Sequence, residues 1–387
     1  MGTQTTTSDR PTVLGVERVN NPHILPIFEA LYDRPEISFT GCVLESQPSW
    51  RVALGWPELP ADTPFLQPLR SPDELQRYHE LARSADVVIW PGLKHSRAIR
   101  MIRHRLRRKK LNVIWAERFI QRRRRSRLER WAMRMTVWAV NNRQVHLMTM
   151  GDGAEVDYRR FGASRWNAWR FGYAVEPRMT LDHGLEAAPH GVMRLLFAGE
   201  LCRRKGVDIL LRALARAKLA DDVWALTVVG DGDERSALES LAAELNIASR
   251  VRFLGVVPRE KVDRYFAESD IVVLPSRFDG WGAIINEGME HGLAVIASDA
   301  VGAGPLLVAD GVNGFVFPNE DVDALADRLT RLVSDRALCA SMRRASRSRI
   351  ELFRPAESAK RVAALCRGLT GHGPMPNYEE GLCTALS

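Results

Sequence analysis

The stretch Leu274–Asp299, LPSRFDGWGAIINEGMEHGLAVIASD, limits the possible folds more than any other part of the chain. Ile271 to Leu274 is a β-branched apolar run, and Pro275 and Ser276 end it. Asp279-Gly280-Trp281-Gly282 reads as a tight loop. Ala283 to His291 then reads as a helix, and Gly292 stands where a left-handed C-cap is expected. Leu293 to Ser298 returns as a strand. This is one βαβ unit, and such units build parallel sheets covered by helices. Ligands of such sheets bind at the carboxyl ends of the strands, where the Asp279–Gly282 loop falls. Its glycines let backbone N–H groups approach an anion, and the helix behind points its positive end the same way. Two carboxylates bracket the loop: Asp279 within it and Glu287 eight residues on, in the helix. A carboxylate beside a phosphate-binding helix end suits sugar hydroxyls. The plain alternative is a helix cap and a solvated helix face.

The same alternation runs along the whole chain, and 387 residues suffice for two α/β domains. Strands are predicted at Thr12–Glu17, Ile37–Leu44, Arg51–Leu54, Ala85–Trp90, Leu111–Trp115, Val145–Met150 and Asn167–Tyr173, with helices between most of them. No G-x-G-x-x-G follows the first strand, so a dinucleotide fingerprint is absent there. His23 follows Asn-Pro and reads as a turn residue. Glu176 to Gly191 has no periodicity and reads as a linker. From Arg194 a second strand–helix alternation begins. The expected domains are residues 1–175 and 192–352, joined by 176–191 and followed by a helix over 353–369 and a loose tail over 370–387.

Cys42, Cys202, Cys339, Cys366 and Cys383 are scattered and lack CxxC spacing, which points to a reducing compartment rather than a structural zinc site. The N-terminus lacks the pattern of a secretory signal, and no apolar run has the length of a membrane span. The formal charge of +8 is unevenly spread. Between Lys94 and Arg134, 17 basic residues stand against Glu117 and Glu129, a local +15 that leaves −7 for the remainder. Ile99, Ile102 and Leu106 form a core stripe in the first helix of that segment, with Arg97, Arg100, Arg103, Arg107 and Arg108 around it. Farther on, Leu128, Trp131, Ala132, Met135, Trp138 and Ala139 mark one face of an amphipathic helix, for which core packing is a sufficient reason.

Asp279-x7-Glu287, the flanking PS-x-x-D-G-W-G and G-L-A-V-I-A-S, and Gly199 to Gly206 (GELCRRKG) resemble segments of the retaining nucleotide-sugar glycosyltransferases of family 4. The resemblance covers most of Arg194 to Val333 and is faint before it. Two departures stand out: the first acid is Asp279 rather than Glu, and the family's arginine after the first glycine is Glu200 here. The implied fold is GT-B, two Rossmann-like doubly wound domains facing across a cleft, with the final helix crossing back to the first domain. The implied reaction moves a sugar from a nucleotide donor, a UDP- or GDP-sugar, to a glycan or lipid-linked acceptor with retained configuration, in cell-surface polysaccharide synthesis. Attack is expected on the front face, with the leaving diphosphate taking the acceptor proton. The resemblance implies that Lys205 and Arg204 stabilise the diphosphate and Asp279 holds donor-sugar hydroxyls. It gives Gly280, Trp281 and Gly282 the role of offering backbone N–H groups, Glu287 the ribose and Val257 the nucleobase. Gly230-Asp231-Gly232 and Val301-Gly302-Ala303-Gly304 match further family turns and serve equally well as plain turns. No cofactor and no metal are implied, since no Asp-x-Asp or His-rich ligand set occurs.

Arg122, Arg123, Arg124, Arg125 and Arg127 fall in a loop after the Leu111–Trp115 strand. They suit an anionic acceptor or an anionic membrane surface, which would place the protein in the cytoplasm, at the inner face of the cell membrane. A solvated charge run is the alternative. Two other functions stay open at this point: a nucleotide-sugar epimerase of the same fold, and a nucleic-acid-binding protein using the arginines, although the cluster lacks interleaved aromatics.

Overall fold

Short β-branched runs set the strands, and the helices between them return the chain in one direction, so both sheets come out parallel apart from one short C-terminal edge strand. The computed structural model describes residues 10–49, 52, 58–60, 62–93, 96–117, 127–176, 191–220 and 222–386, without the side chains of 96–97, 152 and 259–260. Of the expected strand Arg51–Leu54 only Val52 is described, and it is helical rather than extended; most of the linker and Arg122 to Arg125 lie outside these residues. The chain divides into two compact units, Met1–Glu176 with Leu352–Ser387, and Pro177–Glu351.

The first unit runs β1 (Thr12–Glu17), α1 (Leu25–Tyr32), β2 (Ser38–Val43), α2 (Pro72–Ser84), β3 (Val87–Pro91), α3 (Ser96–Arg107), β4 (Leu111–Glu117), α4 (Arg127–Ala139), β5 (Val145–Met150), α5 (Asp152–Arg160) and β6 (Asn167–Phe171). Ser71 caps α2 by accepting from the Glu74 N–H at 3.1 Å, with Pro72 in the first turn. The second unit runs β7 (Met193–Ala198), α6 (Val207–Arg216), β8 (Trp224–Val229), α7 (Arg235–Glu244), β9 (Val251–Gly255), α8 (Arg259–Ala267), β10 (Ile271–Leu274), α9 (Ile284–Glu290), β11 (Ala294–Ser298), α10 (Gly304–Leu307), β12 (Gly314–Phe317), α11 (Val322–Ser334) and α12 (Arg336–Ile350). Its sheet has the order β12-β11-β10-β7-β8-β9. The chain then returns to the first unit as α13 (Pro355–Thr370), which packs on α1, and β13 (Ala385–Leu386). The first sheet has the order β13-β6-β5-β4-β3-β1-β2.

Three expectations change. Residues 370–387 are not a loose tail. β13 pairs antiparallel with β6, Cys383 N–H donates to Arg170 O at 2.7 Å, and Leu382 and Cys383 are fully buried. The α4 stripe is not core: Leu128, Trp131, Met135 and Trp138 are 71%, 59%, 41% and 72% exposed. Met133, Val137 and Val140 are the residues that pack inward. Nor is every arginine of the basic segment a surface charge. Arg105 is fully buried and donates to Ala82 O and Ala85 O at 3.0 Å, Leu111 O at 2.7 Å and Asn112 Oδ1 at 3.0 Å. Burial lowers its pKa to about 10, with the Asp86 carboxylate opposing the shift.

Candidate donor-binding site

The second unit brings two loops together at the carboxyl ends of neighbouring strands. After β7, residues 199–206 turn through a short 3-10 segment, Arg203–Lys205, and enter α6 at Gly206. Gly206 has φ +69, and a Cβ there would lie 2.1 Å from Pro275 O, so glycine is needed for both conformation and close approach. After β10, residues 275–283 form the second loop. Gly282 has φ +93, and a Cβ would meet Val301 Cγ1 at 2.6 Å and Leu274 Cδ2 at 2.8 Å.

Across this junction Lys205 Nζ donates to Asp279 Oδ2 at 2.5 Å. Both side chains are largely shielded, 14% and 13% exposed. Arg204 Nη1 donates to Phe278 O at 3.3 Å and lies 3.8 Å from Asp279 Oδ2. Glu200, where the family resemblance expects arginine, sits 3.7 Å from Arg204 Nη2 and offsets part of its charge. Lys205, Arg204 and Asp279, chosen from sequence segments 74 residues apart, thus form one cluster.

Glu287 is 5% exposed on α9, so it does not sit on a solvated helix face. Trp281 is 2% exposed and its indole N–H donates to Asn286 Oδ1 at 2.8 Å. Its ring is therefore a core element, and what it can offer a ligand at this loop is backbone. The 301–304 turn holds the same loop by backbone bonds. Asp279 N–H donates to Ala300 O at 3.2 Å, Gly302 N–H to Asp279 O at 3.1 Å and Ala303 N–H to Trp281 O at 2.8 Å. Val257 lies apart, after β9, with β7 and β8 between that strand and β10.

Arg277 was not among the sequence candidates, yet it fastens the two loops. Its N–H donates to Arg204 O and its Nη1 to Arg203 O, each at 2.8 Å. Both Nη groups reach the two Asp208 oxygens at 2.7 Å, and Nε reaches Glu320 Oε1 at 2.7 Å. Hydrogen bonding to Asp208 dominates and raises the Arg277 pKa. Burial alone would raise the Asp208 carboxyl, but the Arg277 bonds and charge outweigh it and hold the group below its usual range.

A second polar cluster belongs to the first unit. His23 is 6% exposed and stacks on Tyr173 with ring centroids 5.2 Å apart, and the Tyr173 hydroxyl donates to Glu117. Burial, then the neighbouring Glu117 charge, pushes the Tyr173 phenol up. Sequence reasoning reached His23 but not its two partners.

Residues 183–349 match the family described as "Glycosyl transferases group 1". The amylovoran biosynthesis glycosyltransferase AmsK of Erwinia amylovora is 30% identical over 195 residues, covering 49% of this chain and 47% of that protein. The GDP-mannose-dependent alpha-(1-6)-phosphatidylinositol monomannoside mannosyltransferase of Mycolicibacterium smegmatis is 29% identical over 221 residues, 49% of this chain and 56% of that one. The chain thus spans about half the length of these curated relatives. Among solved structures, Anabaena HepE in complex with UDP superposes with a TM-score of 0.65 at 18% identity, over 91% of this chain and 98% of that one. The fold is GT-B.

Proposed function

Because residues 183–349 match the glycosyl transferases group 1 family, we propose that the chain transfers a sugar from a nucleotide-sugar donor with retention of anomeric configuration. One observation carries this reading: Lys205, Arg204 and Asp279 converge within 2.5 to 3.8 Å at the carboxyl ends of β7 and β10. The departing diphosphate gains charge as the glycosidic bond breaks, and fixed cations stabilise it most at that moment. An ammonium has three donors, and the Asp279 bond uses one. Lys205 can therefore orient the carboxylate that holds sugar hydroxyls and face the diphosphate from the same position. Gly280, Trp281 and Gly282 contribute backbone N–H groups. Glu287 takes the ribose hydroxyls and Val257 lines the base. The acceptor hydroxyl attacks on the face from which the diphosphate leaves, and a diphosphate oxygen takes its proton. No metal or cofactor has a role in this scheme.

The donor nucleotide is a uridine or a guanosine diphosphate: HepE was solved with UDP, and the mannosyltransferase is named for GDP-mannose. We assign the acceptor to the first unit and to the glycan or lipid-linked class, with a role in polysaccharide synthesis at the inner membrane face. No described helix is long and apolar enough to cross a membrane. The exposed Trp131 and Trp138 with Arg127, Arg130 and Arg134 on α4 support contact of the first unit with anionic lipid. The test is a calorimetric panel of UDP- and GDP-sugars, followed by assignment of the product anomer by NMR. Failure of every donor, or a product of inverted configuration, would refute the proposal.

A further inference from the structure

The first unit contains a cavity of about 1080 Å³ between α2 and α3, floored by the ends of β2 and β3. Arg83, Arg100, Arg107 and Arg108 line it, and none of the four pairs with a carboxylate among the described residues. The one acid in the lining, Glu45, is already 3.4 Å from Arg18. Two imidazoles, His79 and His104, also face it. His79 Nδ1 and His104 Nε2 are shielded from water and lack a hydrogen-bond partner among the described residues.

The opposite character lines the rest of the cavity. Leu44, Leu75, Tyr78, Trp90 and Met101 make an apolar wall, and Leu75 is 40% exposed. Burial and the surrounding arginines, Arg108 foremost, hold the His104 imidazole below its ordinary pKa. A neutral ring there offers one N–H and one acceptor rather than a further positive charge.

We infer that this cavity binds a phosphate-bearing amphiphile, its anionic head among Arg83, Arg100, Arg107 and Arg108 and its apolar stem along Leu75, Tyr78 and Met101. Guanidinium groups recognise phosphate oxygens in pairs of parallel hydrogen bonds, and four of them exceed what one carboxylate can neutralise. The volume lies just above the range of about 300–1,000 Å³ usual for sites of small organic ligands, and a bare phosphate would not fill it. The ligand class covers lipid phosphates and free alkyl or glycosyl phosphates alike. The site lies in the first unit, and its test reads binding without sugar transfer, so it stands or fails separately from the donor reading.

The experiment is calorimetric titration of the full chain with octyl phosphate, inorganic phosphate, octyl glucoside and a single-stranded oligonucleotide. Octyl phosphate should bind most tightly. Replacing Arg100→Gln with Arg107→Gln should weaken it by at least about tenfold, the scale of one lost charge-assisted hydrogen bond. Both side chains are exposed, so the thermal melting curve should be unchanged. Leu75→Gln should weaken octyl phosphate and leave inorganic phosphate unaffected. A lipid source would show as tighter binding of a short-chain phosphatidic acid than of octyl phosphate, and a free phosphate source as the reverse order; both support the site. Equal binding of inorganic phosphate or of octyl glucoside, tighter binding of the oligonucleotide, or an arginine variant that binds normally would each overturn the inference.

Discussion

Lys205 holds Asp279 at 2.5 Å, and that contact decides what a change at either position does. Lys205→Ala removes a cation facing the proposed diphosphate and also frees the carboxylate, leaving it, among the described residues, the Arg204 guanidinium at 3.8 Å. Donor turnover should fall by roughly 10²-fold or more, the scale of one preorganised charge stabiliser. A variant with near wild-type kcat would return this lysine to an ordinary loop residue. Asp208 makes a separate prediction. Its folded-state pKa is depressed, so its contribution to stability is present above the unfolded carboxylate value and is lost as pH falls through the folded one. Asp208→Asn should therefore lower Tm at pH 6, and the gap to wild type should close as pH drops below about 4. A gap that stays constant down to pH 3 would contradict the sign. Lys205 and Asp279 were legible because each sits in a short, ordered pattern. Arg277 was not, since its partner Asp208 lies 69 residues away and a single arginine after Ser276 carries no periodic signal.

At the scale of elements, α4 shows how a helix can be assigned correctly and faced the wrong way. Its spacing marks an apolar stripe at Leu128, Trp131, Met135 and Trp138, but Met133, Val137 and Val140 supply a second one. Periodicity finds stripes and does not say which of two meets the core; the sheet, absent from a sequence reading, decides it. Strands were easier, because β-branched runs such as Ile271–Leu274 have no other economical reading. The exposed stripe, with Arg127, Arg130 and Arg134 on the same helix, predicts reversible binding to anionic bilayers. Each basic residue near such a surface contributes on the order of 1 kcal/mol, and the tryptophans favour the headgroup region. Co-sedimentation with phosphatidylglycerol vesicles should be strong at low salt, weaken as salt screens the charges, and drop in the Trp131→Ser, Trp138→Ser variant. Equal sedimentation of that variant, or none of the wild type at low salt, would remove the membrane from the account.

At the scale of the whole molecule, the chain leaves the first unit, builds the second and comes back. The return helix was expected from the resemblance, but the chain beyond it was read as loose, because Gly371, Gly373, Pro374 and Pro376 look like tail composition. Three long-range contacts reverse that reading. Arg361 Nη1 donates to Leu382 O at 3.2 Å, Arg170 N–H donates to Thr384 O at 2.9 Å, and β13 covers the β6 edge of the first sheet. An uncovered edge would present unpaired N–H and C=O groups to other chains. Truncation after Gly371 strips this cover and leaves Arg361, 7% exposed, without the Glu380 and Leu382 carbonyls that accept from its Nη1. Burial of Leu382 and Cys383 together with the edge hydrogen bonds is worth on the order of 3–5 kcal/mol, which corresponds to roughly 10 °C in the Tm of a unit this size. The second unit has no described residue in that segment. Scanning calorimetry of the truncated chain should therefore show the first unit melting earlier and aggregating more readily, while nucleotide-sugar binding by the second persists. If the truncated chain melts with the full-length one, the last strand is an accessory, and the return of the chain ends functionally at α13.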